Sequence, residues 1–206
     1  MCPPDCDDPW IKHLSAFYPP KKLHALGAVT FLWNACENSM ADIFVEVSGI
    51  PHRTAWILTK EMGVVTLCAK IVEVARAKPL AAAVIEYLDH ELKVFDLCRR
   101  NRNQLTHFQI GFEAEPNGAL QMAIKRRSKT QPDPVSIPED LKDIRRVADE
   151  IGDLRQNLTD FFMFLTSQGE ATPWPLPGKL PLPALLESPL PANQPAPRSR
   201  RRSSPA

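Results

Sequence analysis

The sequence predicts an all-α protein: an antiparallel up-and-down bundle of about four long helices, with a small β-hairpin between helices three and four. Three observations carry this reading. Apolar residues recur at helical spacing over four segments of roughly 25 to 30 residues each. Short breaks marked by proline or glycine separate those segments. Alternation of period two is found at one place, on either side of Asn117-Gly118.

The first segment runs from about Lys22 to Val47. Leu26, Trp33, Met40 and Val47 recur every seven residues, and Val29, Cys36, Ile43 and Phe44 fill in the stripe. Ser48-Gly49 is a stop signal and Pro51 opens the next element. The second segment, about Pro51 to Lys78, places Leu58, Met62, Val65, Val72 and Ala75 on one face. Ile57, Val64, Cys68 and Ile71 widen that face, which predicts burial on two sides. The third, about Leu80 to His107, is apolar at Val84, Leu88, Leu92 and Phe95. Beyond it Ile110, Phe112 and Ala114 alternate, then Leu120, Met122 and Ile124. The Glu115-Pro116-Asn117-Gly118 stretch between them predicts a hairpin over about 109–125. Ser136 and Glu139 have capping-box spacing around Pro138. The last helix then carries Leu141, Ile144, Ile151, Leu154, Leu158, Phe161 and Leu165, with Gly169 at its end.

Composition bounds the function. The chain has 206 residues, 44% of them hydrophobic, which suits one globular domain with flanking segments. Its 25 Lys+Arg and 24 Asp+Glu nearly cancel, which excludes a generally basic nucleic-acid-coating protein and an acidic solvating chain. Glycine is scarce at 8, and neither a dinucleotide-binding GxGxxG nor a P-loop is present. Five dispersed cysteines do not make a disulfide scaffold and point to a reducing compartment. No apolar run approaches the roughly 18 to 20 residues of a membrane span. The acidic, proline-rich start MCPPDCDDPW lacks the features of a secretory signal. A cytoplasmic protein without a membrane partner is expected.

Residues 1–20 read as a flexible leader, 21–170 as the domain and 171–206 as a proline-rich, basic, disordered tail. Ten of the 21 prolines fall in the last 34 residues, which excludes regular helix or sheet there.

The helical pattern breaks once. From Arg99 to His107 the chain reads RRNRNQLTH. At 100° per residue Arg100, Asn103 and His107 share one helix face, and Arg99, Arg102 and Thr106 form the neighbouring stripe. One strip of a helix end thus offers a permanent cation, an amide and a group that titrates near pH 6.5.

The residues Arg102-Asn103-x-x-x-His107 match the Arg-polar-x-x-x-His signature of HEPN domains, and the helical context from about Lys22 to Ser167 resembles that family. The resemblance implies a metal-independent endoribonuclease, working as a homodimer on RNA with no cofactor. Toxin or defence roles and a cognate inhibitor protein are implied too. Under it, Arg102, Asn103 and His107 are the catalytic residues, with Arg100 as the other candidate for the functional arginine. Arg99, Arg100, Lys125, Arg126 and Arg127 would hold the RNA backbone, and Glu37 would orient a motif arginine. The alternative is a non-catalytic helical module that binds RNA, a nucleotide or a partner protein through the same face.

Other residues read as structural. A basic last turn also complements the helix dipole. His13, His24, His52 and His90 show no metal-ligand spacing. Cys36, Cys68 and Cys98 fall on helix faces as small core residues, and Trp33 and Trp56 read as packing residues.

Overall fold

A computed structural model describes residues 19–106, 109–114, 120–126, 135–136 and 140–186. The chain divides into two compact units. In the larger, five α-helices are described: α1 (Pro20–Ser48), α2 (His52–Thr59), α3 (Val64–Ala77), α4 (Ala82–Thr106) and α5 (Leu141–Thr166). This unit is all-helical. In the smaller, β1 (Gln109–Ala114) pairs antiparallel with β2 (Leu120–Arg126), Ile110 opposite Ile124 and Phe112 opposite Met122. A two-residue β3 (Val135–Ser136) pairs with the end of β2. The Glu115–Gly118 turn lies outside the described residues.

Helix α1 starts with proline in its first turn, where the missing N–H is no loss. It ends at Gly49, which adopts the left-handed conformation at φ 65° and donates its N–H to Val45 O. Its seam of Val29, Trp33, Cys36, Met40, Ile43 and Val47 is buried. The seam packs along Ile144, Val147, Ile151, Leu154 and Leu158 of α5. Cys36 Sγ donates a long hydrogen bond to Ile151 O across that contact. Helix α4 closes the core from the side. Phe95 meets Trp33 at 4.6 Å between ring centroids, and Tyr87 meets Phe161 at 4.7 Å.

The second predicted helix is two helices. Lys60 N–H bonds Trp56 O and Met62 N–H bonds Thr59 O, which closes α2 in a tight turn. Gly63, extended at φ −66° and ψ 148°, then opens α3. The apolar spacing was continuous through Gly63, but a glycine inside a helix costs about 1 kcal/mol against alanine and the chain bends there instead. The predicted face holds for Ile71 and Ala75, with Val64 and Cys68 packed against the core, and fails at Ile57, Leu58 and Val65. Trp56, Ile57, Leu58 and Val65 are exposed, while Ala55, Leu67, Ile71 and Ala75 are buried. Trp56 is therefore a surface residue, unlike Trp33.

Helix α5 is capped by Asp140, whose carboxylate accepts from Lys142 N–H at 3.0 Å, and not by Ser136, which belongs to β3.

The largest correction concerns the first part of the predicted tail, residues 173–186; residues 187–206 lie outside the described residues. Residues 173–186 have no regular secondary structure, yet they are bound to the helices. Leu176, Leu180 and Leu186 pack against the core. The backbone of this strap is held by side chains of α4 and α5. Asn157 Nδ2 donates to Gly178 O, and Glu91 Oε1 accepts from Leu180 N–H. Asn101 donates to Ala184 O and accepts from Leu186 N–H. From Glu86, paired with Lys179, to Asn101 the helix rises about 22 Å. An extended proline-rich chain from Lys179 to Leu186, at about 3.1 Å per residue, covers about the same length. The strap is thus stretched parallel to α4. Prolines remove its donors and fix its φ, so it needs few partners and loses little entropy on docking. No helix among the described residues is long and apolar enough to cross a membrane.

Candidate functional site

The last two turns of α4 carry the Arg99–Thr106 part of the polar run, and the helix splits it into three environments. Arg99 lies along the helix and pairs with Asp96, Nη2 to Oδ1 at 2.6 Å and Nε to the same oxygen at 3.1 Å. Arg100 is exposed. Arg102 and Asn103 are half-buried and in contact, Arg102 Nη1 donating to Asn103 Oδ1 at 3.1 Å. Thr106 turns its hydroxyl back to Arg102 O at 2.9 Å, a common arrangement in a helix and no sign of catalysis. The turn is anchored by Leu105, 4% exposed, and by Cys98 two turns earlier on the seam.

Asn101 is the residue the sequence reading left unassigned. It is 0% exposed and points away from its arginine neighbours into the strap. Its position was a usable signal. It sits three residues after Cys98 and four before Leu105, so it occupies an apolar seam. A polar residue there must find partners. Glu91, three residues before Val94, interrupts the same seam, and Asn157 interrupts that of α5 between Leu154 and Phe161. All three meet the strap's main chain.

The strap's far end is also tied by Arg146 of α5, which donates from Nη1 to Ala184 O at 3.0 Å and to Glu150 Oε1 at 2.7 Å. Charge thus surrounds the end of α4 from two elements, Arg100 and Arg102 on one side and the Arg146–Glu150 pair on the other.

Of the remaining candidates, Glu37 accepts the Trp33 indole N–H at 2.8 Å, one turn apart on α1. That bond gives a buried tryptophan its partner. Lys125 and Arg126 lie on β2 in the smaller unit. His107 and Arg127 lie outside the described residues.

The cysteines are chemically quiet. Burial pushes the thiols of Cys36, Cys68 and Cys98 up to about 12, so little thiolate exists near neutral pH. Among the described residues, no three His, Cys, Asp or Glu side chains converge as a metal site would require. His90 faces the strap instead, Nε2 lying 2.7 Å from Leu180 O.

No family model matches the chain, no curated protein matches it, and no solved structure matches it.

Proposed function

We propose that the chain acts on RNA as a metal-independent endoribonuclease of the HEPN type, working as a homodimer. The observation that supports this reading is the contact of Arg102 with Asn103 on the last turn but one of a long helix in an all-helical unit, four residues before His107 in sequence from Asn103. The chemistry is transesterification. The ribose 2′-oxygen attacks the adjacent phosphorus, its proton passes to an imidazole, and the P–O5′ bond breaks. A second imidazole returns a proton to the departing 5′-oxygen, leaving a 2′,3′-cyclic phosphate and a 5′-hydroxyl. His107 from each of two protomers divides the acid and base roles, since an imidazole titrates near working pH. Arg102 offers a planar fork to the non-bridging oxygens as negative charge builds on them. Asn103, in contact with Arg102, holds that fork or the imidazole in register. Arg100 supplies a phosphate contact without sequence preference. DNA lacks the nucleophile and is not a substrate.

The test is cleavage of a structured and a single-stranded RNA by the full chain in EDTA, alongside His107→Ala and Arg102→Ala. Each variant is expected to lose about 100-fold or more in rate. Unchanged cleavage in both removes the proposed site.

The second reading is a non-catalytic helical module that holds RNA, a nucleotide or an acidic partner on the same face. The exposed Arg100 beside the half-buried Arg102 favours it, because such a face binds phosphate whatever His107 does. It predicts salt-sensitive binding without turnover, weakened by Arg100→Ala or Arg102→Ala alone.

A further inference from the structure

We propose that Glu91 is a protonation-dependent clamp on the strap, one that grips Leu180 beside His90 when Glu91 is neutral and loosens as the pH rises. This inference stands apart from the RNA reading and rests on the packing of α4 against residues 173–186.

The geometry singles out one peptide unit after another at Leu180. Its N–H meets Glu91 Oε1 at 3.4 Å and its carbonyl oxygen meets His90 Nε2 at 2.7 Å. Consecutive residues of α4 thus bracket a single strap residue, whose side chain packs on the core. One residue earlier Lys179 pairs with Glu86, one turn before His90 on α4. No other strap residue has both main-chain groups engaged by titratable side chains among the described residues.

Glu91 is an unusual group to bury. It is 2% exposed, and its second oxygen, Oε2, has no hydrogen-bond partner in its surroundings. An ionised carboxylate in that position is held by Asn157 and by the long bond from Leu180 N–H, and among the described residues it has no ion-pair partner at salt-bridge distance. The groups around it come from three elements. On α4 they are Tyr87, whose hydroxyl is likewise buried without a partner, and His90; Glu86, earlier on the helix, is exposed and paired with Lys179 of the strap. On α5 they are Asn157 and, beyond Tyr87, Asp160. From the strap comes Leu180 N–H. Burial dominates, pushing the Glu91 carboxyl above its ordinary value. Asn157, Leu180 N–H and His90 pull the other way and only partly offset it.

The sign follows from linkage. With the strap docked Glu91 holds its proton more tightly than with the strap lifted and water admitted. Docking therefore gains from Glu91 in full below the ordinary carboxyl range. That gain is lost progressively as the pH climbs toward the docked value, and above that value the loss is complete and constant. Opening should rise by up to about tenfold per pH unit across that window. The hinge is at hand: α5 ends at Thr166, Gly169 has φ 102°, and Ser167 Oγ accepts from Trp174 N–H at the strap's root.

The experiment is hydrogen exchange on the full chain, followed by mass spectrometry from about pH 4.5 to about pH 8 and corrected for intrinsic rates. Amides of residues 178–186 are compared with those of α1, in the wild type and in Glu91→Gln. The glutamine keeps the acceptor for Leu180 N–H and carries no charge. The proposal expects strap protection in the wild type to fall with pH and then level off while α1 stays protected. It expects Glu91→Gln to be flat and, at about pH 8, slower to be cut by trypsin after Lys179. A wild-type strap whose protection does not change with pH overturns the clamp, as does an equal slope in Glu91→Gln. Parallel loss in α1 also overturns it, because the event would then be global unfolding. If Glu91→Gln fails to fold, the wild-type series of strap against α1 still decides the question.

Discussion

Replacing Asn101 by alanine should detach the end of the strap. The wild-type amide makes two hydrogen bonds to it, Nδ2 to Ala184 O at 2.9 Å and Leu186 N–H to Oδ1 at 3.0 Å. Their loss differs at the two ends. Ala184 O keeps Arg146 as a donor, so that side forfeits roughly 1 kcal/mol. Leu186 N–H keeps no partner unless the strap lifts into water. It therefore costs either the burial of an orphan donor, about 1 to 3 kcal/mol, or the packing of Leu186. The small void left by the amide adds to this. The expected destabilisation is about 2 to 4 kcal/mol, measured by urea unfolding followed through far-UV circular dichroism. With a urea dependence of about 2 kcal/mol/M, the midpoint should fall by about 1 to 2 M. Asn101→Asp keeps the acceptor for Leu186 N–H but loses the donor to Ala184 O and adds a buried charge. It should be at least as damaging. A loss below about 0.5 kcal/mol in Asn101→Ala would place the residue in the surface class, and the argument that the strap is bound through buried seam amides would fall with it.

Other outcomes follow from single contacts. Trp33→Phe keeps the ring against Phe95 but deletes the donor to Glu37; it should cost about 1 kcal/mol in the same urea assay, while Trp33→Ala should cost about 3 to 5 kcal/mol. Gly49→Ala forces a side chain into a left-handed position with Lys78 Nζ 3.0 Å from the new Cβ, and should lower stability by about 1 to 2 kcal/mol. Cys36, Cys68 and Cys98 should escape a thiol reagent at about pH 8 in the native protein and react after unfolding, as peptide mapping would show. Arg100→Ala should reduce the slope of log affinity for RNA against log salt by about 1, and an unchanged slope would remove Arg100 from the phosphate contacts.

Much of the helical unit was legible because its seams are regular. In α1 and α5 nearly every apolar position named from spacing is buried or packed against the core. What misled was continuity. Hydropathy does not register a bend, so Gly63 was absorbed into one long helix, and Ile57, Leu58 and Val65 were assigned to a buried face where solvent lies instead. Ser136 and Glu139 have the spacing of a capping box, but local spacing cannot tell which of several oxygens wins, and Asp140 is the cap. The proline-rich strap was misjudged for a different reason. Proline excludes hydrogen-bonded secondary structure, and from that the segment was read as unbound. The inference fails when side chains of other elements supply the partners, as Glu91, Asn101 and Asn157 do.

Those three residues also change how the polar run on α4 is understood. A composition break invites a single explanation, and RRNRN has at least two. Asn101 faces inward because a docked strap needs both ends of an amide, and its arginine neighbours face outward because helix geometry turns successive residues by 100°. Arg99 is committed to Asp96 and Arg102 contacts Asn103, while Arg100 is exposed. The two sets are neighbours along one turn but face different surroundings, Asn101 meeting the strap and Arg102 meeting Asn103. Buried polar groups on a seam cost stability unless satisfied, and a leucine at 101 would pack there at lower desolvation cost but would accept no strap. Retaining Asn101 in the middle of the basic run therefore trades core packing for a defined position of the strap beside the arginines.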